Sequence, residues 1–288
     1  MEVRSRTVRF VAPLLALMAT LSMSACGDGA SAPGGASAAT AAARVTVVGS
    51  STVSPLMAEI AKDFEKGKPD VRIDVQAGGS SRGITDVRNG VADIGMVSRA
   101  LKPDESELGH TLIARDGVSV IVHRDNTVPG LSRTQLVDIY TGKVSNWSQV
   151  GGPDLPITVV SKAEGRSTLE VFSDYVGLSY KDIKAQMIIG DNQQGIQAVA
   201  TTPGAITYVS IGTAEYEAGN GAAIRLVPLD GMTPTTQAVA EGRFPMVREL
   251  NLVYKSPAAP NVQALIDHAA TPKAAEIIRG QYMVPVAR

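Results

Sequence analysis

Residues 73–87 read IDVQAGGSSRGITDV. Ile73, Val75 and Ala77 alternate with polar residues, the two-residue period of a strand packed on one face. Two glycines and two serines follow, and the pattern turns helical through Ile84 and Val87. A chain that passes from strand to helix through so short a polar turn is building one unit of an α/β layer. The turn leaves backbone N–H groups and hydroxyls at a helix N-terminus, where the partial positive charge attracts anions. Three readings compete: a socket for an anion, a nucleophilic serine on a tight elbow, and an ordinary helix cap.

The same arrangement recurs on either side. VTVVGSSTVSPLMAEI (45–60) and ITVVSKAEGRSTLEVF (157–172) each run strand, Gly/Ser/Thr turn, helix. Glycines 49, 78, 79 and 165 let the backbone approach a ligand closely. One such turn is satisfied as a cap; three of them point to a shared anionic guest. Arg166 lies inside the third turn and Arg99 follows the strand-like ADIGMVS. Both carry guanidinium forks that match tetrahedral oxyanions, with a salt bridge as the competing role for each. Lys162 and Glu164 flank the third turn and can pair with each other or with Arg99.

From Arg44 onward, strand-like and helical patterns alternate, which implies parallel sheet with helices on its faces. Two α/β lobes accommodate the pattern better than one sheet. Lobe I is expected over 44–120 plus 251–288, lobe II over 121–250, with hinge crossings near Ile121 and Leu250. The hydrophobic share of 44% beside 19% charged residues is that of a globular body with a sizeable core. Aromatics at 4% disfavour a base-stacking or aromatic-lined sugar site. A formal net charge of −1 argues against nucleic-acid binding through a bulk positive field.

The N-terminus reads as an export segment. Arg4, Arg6 and Arg9 precede the apolar run FVAPLLALMATLSM, which is short for a membrane span and ends at SAC. Cys26, the only cysteine, stands in MSAC, similar to a bacterial lipobox, with a plain secretory signal as the alternative. Residues 1–25 are therefore expected to be removed, Cys26 lipidated, and 26–43 to form a Gly/Ala/Ser-rich tether. Losing Glu2 and three arginines leaves 24 basic and 27 acidic residues, net −3, so an anion site must act locally.

Enzyme chemistry has one foothold. GSSRG (79–83) matches G-x-S-x-G with Ser81 as nucleophile, and a hydrolase order needs a histidine downstream. His268, in ALIDHAATP, is the late candidate, but it sits in a helical pattern, and the other two serine turns stay unexplained. Scattered histidines give no metal-ligand spacing, and no cofactor fingerprint appears.

Taken together and in order, GSSTVSPLMAEIAKDFEK, GGSSRGITDVRNGVADIGMVSRALKPDE, LVDIYTGKVSNWSQVGG, EGRSTLEVFSDYV, PGAITYVS and GRFPMVRELNLVYK resemble the phosphate-binding proteins of ABC importers. The likeness runs from about Arg44 to Arg288. It implies the two-lobed periplasmic-binding-protein fold, with a ligand cleft between lobes and two hinge crossings. It also implies capture of inorganic phosphate, delivery to a permease with a cytoplasmic ATPase, and no catalysis. The expected body is a monomer, held at the periplasmic or outer face of a membrane by its lipid alone. By the same resemblance Ser51 and Thr52, Ser80 and Ser81, Ser98, and Arg166, Ser167 and Thr168 hold the anion. Lys162 replaces a frequent arginine, and Ser98, followed by Arg99, occupies a place that is aspartate in some relatives. A carboxylate there accepts the proton of hydrogen phosphate and repels sulfate. Glu164 is the expected substitute for it, with Arg99 and Arg166 compensating for the missing arginine. Another tetrahedral oxyanion, sulfate or molybdate, is the alternative guest.

Overall fold

The computed structural model describes residues 42–286. The export segment, Cys26 and all but the last two tether residues lie outside them; Ala43 already belongs to the first strand. In order come β1 (Ala43–Gly49), α1 (Val53–Gly67), β2 (Val71–Ala77), α2 (Ser80–Arg88) and β3 (Ile94–Val97). A long strand β4 (Gly109–His123) leads to α3 (Arg133–Tyr140), β5 (Thr158–Lys162), α4 (Ser167–Val176) and β6 (Met187–Ile189). Next are α5 (Asn192–Thr201), β7 (Ala205–Ser210), α6 (Ile211–Gly219), β8 (Ile224–Leu226) and α7 (Thr236–Ala240). The chain closes with β9 (Val247–Tyr254), α8 (Pro260–His268), α9 (Pro272–Gly280) and β10 (Val284–Pro285).

Local sequence explains the pieces. Val53, Leu56, Met57, Ile60 and Phe64 form one buried stripe on α1, while Glu59 and Lys62 pair on its wet face at 2.6 Å. Strand β1 lies between β2 and β3, so Val45, Val47 and Val48 are all buried. Strand β2 is an edge with only Val71 buried, which accounts for its polar alternation.

Strand order is β2-β1-β3-β9-β4-β7-β5-β6, one continuous hydrogen-bonded path. This corrects the expectation of parallel sheet throughout. The outer pairs β1/β2, β1/β3, β5/β6 and β5/β7 are parallel, but β9 is antiparallel to β3 and to β4, and β4 to β7. The reason is the length of β4: 15 residues span roughly 50 Å, enough to serve two sheets. Its first part pairs with β9 as far as Gly117↔Val247, and its second with β7 from Val118↔Ser210. The apolar cores remain separate across that exchange. Val45, Leu56, Ile60, Ile94, Leu250 and Leu252 belong to one; Val118, Val120, Trp147, Phe172, Tyr208 and Met246 belong to the other.

In the second core Phe172 stacks on Tyr208 with centroids 4.0 Å apart and planes 7° from parallel. Burial pushes the Tyr208 phenol up to about 12, so it stays protonated. Its oxygen lies 2.7 Å from Ser161 Oγ and accepts the Lys162 N–H at 3.2 Å. That contact fixes the end of β5, just ahead of the third serine turn.

Candidate functional site

The first turn begins at Gly49, whose φ of +145° and closeness to β3 exclude a side chain. Behind it Ser50 N donates to Met96 O at 2.8 Å, and Ser50 Oγ accepts from the Thr52 and Val53 N–H groups at 3.1 and 3.4 Å. Ser50 thus satisfies two N–H groups at the entry to α1 and still donates its proton to Ser98 Oγ at 2.8 Å. In the second turn Gly79, at φ +96°, swings the chain into α2 so that Ser80 Oγ accepts Ser98 N (3.1 Å) and donates to Ser167 Oγ (3.0 Å). Ser98 and Ser167 hydroxyls meet at 2.5 Å. Six hydroxyls converge in this way: Ser50, Thr52, Ser80, Ser98, Ser167 and Thr168, each no more than 4% exposed.

At their centre stands a guanidinium that sequence reading did not single out. Arg248 on β9 is directly opposite Asp116 on β4, the rung before the last β4–β9 pair. Its Nε and Nη2 donate to Asp116 Oδ2 at 3.1 and 2.8 Å, both side chains being 1% exposed. The remaining edge faces the hydroxyls: Nη1 donates to Thr168 Oγ1 at 2.9 Å and Nη2 to Thr52 Oγ1 at 2.8 Å. Asp116 Oδ1 in turn accepts from the Gly212 N–H at 3.2 Å, which holds the carboxylate in place.

A fourth helix N-terminus joins the cluster. Asp191 caps α5 by accepting Gln194 N at 2.8 Å, and the adjacent Asn192 donates to Thr52 Oγ1 at 3.0 Å. Asn192 Oδ1 accepts from Lys162 Nζ at 2.9 Å. The segment MIIGDNQQGIQAVA repeats the strand–turn–helix design, a signal by which Asn192 could have been found. Burial, then the positive Arg248 and Arg166, bring the Lys162 amine from 10.5 down to about 7, with Asp191 opposing them. The unfolded chain keeps this proton up to about 10.5, whereas the folded one releases it near 7. Stability of the ligand-free protein therefore rises as pH increases between those values, and below about 7 the buried charge weighs in full. Lys162→Met should flatten that rise in thermal unfolding; an unchanged pH profile in the variant would refute it.

The other expected residues lie elsewhere. Ser51 lines a cavity of about 150 Å³ with Pro55, Ala77 and Asn192, while the turn directs Ser50 to the hydroxyl cluster instead. Ser81 contributes its N–H to Gly165 O at 3.3 Å, and its hydroxyl is not bonded to the cluster. The Arg99 guanidinium is held by Glu105 through two contacts of 2.7 Å, with Nε 2.6 Å from Glu170, so two carboxylates occupy it. Arg166 lies across the second turn, its Cδ 2.9 Å from where a Cβ on Gly79 would stand, and it forms no ion pair among the described residues. Glu164 is exposed and cannot stand in for a carboxylate at Ser98. His268 Nε2 lies 3.2 Å from Asp63 Oδ2 and its ring packs on Phe64, so it is not the partner of Ser81 that a hydrolase needs.

Chemically the site is rich in donors and locally almost neutral. Four helix N-termini, six hydroxyls and one arginine favour an anion, while Asp116 already balances the arginine. Each hydroxyl can also accept, so a protonated oxyanion finds both partners it needs. A cleft of about 810 Å³ lies beside Arg248, walled by Lys102, Leu169 and Glu170.

The PBP superfamily domain matches over residues 34–273. The phosphate-binding protein PstS of Bacillus subtilis is 30% identical over 211 residues, covering 72% of this chain and 68% of that protein. PstS 2 of Streptococcus pneumoniae is 44% identical over 108 residues, a match that spans 37% of that relative's length. Among solved structures, a candidate substrate-binding protein of a phosphate ABC transporter from Clostridium perfringens, with bound phosphate, superposes with a TM-score of 0.79. It is 32% identical, over 85% of this chain and 100% of that one. A phosphate transport receptor from Vibrio cholerae gives 0.68 at 26% identity, over 85% of this chain and 100% of that one.

Proposed function

Because this chain belongs to the PBP superfamily and to its PstS phosphate-binding branch, we propose that it captures inorganic phosphate for an ABC importer. The observation that carries the reading is the meeting of six buried hydroxyls with Arg248 at the strand exchange between the lobes. The anion turns their mutual hydrogen bonds toward itself. Thr52, Ser80, Ser98, Ser167 and Thr168 act as in the expected set, joined by Ser50, Asn192 and Arg248. Charge-assisted hydrogen bonds contribute roughly 1.5–3 kcal/mol each, and micromolar affinity needs about 8 after ordering costs. Half a dozen donors reach that for an oxyanion and not for a neutral guest.

With serine at position 98, the proton of hydrogen phosphate is accepted by a hydroxyl. Near pH 7 the Lys162 amine is only partly protonated, and a bound dianion draws it to the charged form. The lobes turn about the β4 and β9 crossings, where β4 exchanges β9 for β7 between Gly117 and Val118. The protein works outside the cytoplasm, tethered by a lipid on Cys26 beside the permease it supplies. It performs no chemistry of its own. A calorimetric panel tests the assignment: phosphate should bind at least about tenfold more tightly than sulfate or molybdate, a gap of ~1.4 kcal/mol. Equal affinity for sulfate would leave an anion site and end the phosphate assignment.

A further inference from the structure

Glu170 stands on α4, three residues after Ser167, yet it makes no hydrogen bond with the hydroxyl cluster. Its Oε2 is 2.6 Å from Arg99 Nε and its Oε1 3.0 Å from Lys102 Nζ. Those two cations follow β3, in the lobe that holds Ser50, Ser80 and Ser98, whereas α4 packs in the core of the other. Arg99 is prepared for this contact. Glu105, on its own side, grips both Nη atoms at 2.7 Å and also accepts Lys102 N at 2.8 Å, which leaves the Nε edge pointing across the cleft. Burial works against the Arg99 charge, but its carboxylates outweigh it and hold the group above the usual arginine range. The Nε–Oε2 contact is an ion pair in which charge supplies the attraction. Half-shielded in the cleft wall, at 8% and 26% side-chain exposure, it is less screened than a surface pair.

We propose that Glu170 is a positioning residue for anion retention: it latches the lobe of α4 onto Arg99 and Lys102 on closure and so sets the rate of release. The idea rests on the phosphate reading for its ligand alone. The anion enters the open cleft, and its retention scales with the fraction of loaded molecules whose lobes are closed. A contact that exists only between closed lobes raises that fraction without touching the guest. Its removal therefore acts on departure, since the donors met on entry are unchanged.

The test follows labelled inorganic phosphate into and out of the purified protein and its Glu170→Gln variant. Release from the variant should be about tenfold faster while association stays within about twofold. Lys102→Met should act in the same direction, and the double variant should fall short of the summed effects, as groups sharing one contact do. Glu105 still neutralises Arg99 in the variant, so the melting temperature without phosphate should hold. Equal release rates, or a loss of affinity carried by slower association, would overturn the latch. Should neither protein take up phosphate, the phosphate assignment fails and solution scattering decides the latch by itself. A more open Glu170→Gln shape would support it, and superimposable profiles would sink it.

Discussion

Arg248→Met is expected to weaken phosphate binding by at least about a hundredfold, ~3 kcal/mol, the range for truncating one partner of a buried charge pair. The guanidinium is the only formal cation bonded directly to the hydroxyls among the described residues, through Thr52, Thr168 and, at 3.4 Å, Ser98. The same change strands Asp116, 1% exposed, without its counter-ion. Breaking such a pair costs about 3–5 kcal/mol of folding stability. The two effects separate in the Arg248→Met/Asp116→Asn double variant, which should regain most of the stability and none of the binding. Denaturant unfolding and calorimetry read them independently. A single variant that binds within tenfold of the parent would remove Arg248 from the site.

Gly49→Ala should damage fold and site together. The new Cβ would lie 2.2 Å from Met96 O and 2.8 Å from Met96 N, both backbone atoms of β3, at a φ of +145°. Neither can retreat without breaking the Gly49↔Met96 rung and the Ser50 N–H bond to the same carbonyl. A loss above about 3 kcal/mol is expected, with Ser50 and Thr52 displaced from Arg248. Gly67→Ala is the control: its Cβ meets nothing within 4 Å, and it should change stability by less than about 0.5 kcal/mol. Comparable destabilisation in both variants would mean that glycine content, not this close approach, matters.

Much of the site's material was legible. The turns that carry Thr52, Ser80, Ser167 and Thr168 stood out because strand, turn and helix patterns are local and each turn repeats one design, whereas Ser98 was reached through the family resemblance. Other positions were not, for separate reasons. Which of two adjacent serines faces inward depends on the path out of Gly49, and that choice favoured Ser50 over Ser51. Arg99 and Arg166 resemble anion ligands in sequence as much as Arg248 does. Nothing near Arg248 in the chain marks its role, because its partner Asp116 is 132 positions away.

The order of elements, the helix caps and the serine turns follow from the chain alone, since periodicity and capping act over a few residues. Which charges meet was decided only by the tertiary structure. One register, Asp116 opposite Arg248, buries a cation among the hydroxyls, while Glu105 and Glu170 draw Arg99 away from them. Pairing between distant strands and neutralisation of buried charge are properties of the assembled lobes, and no short stretch of sequence contains them.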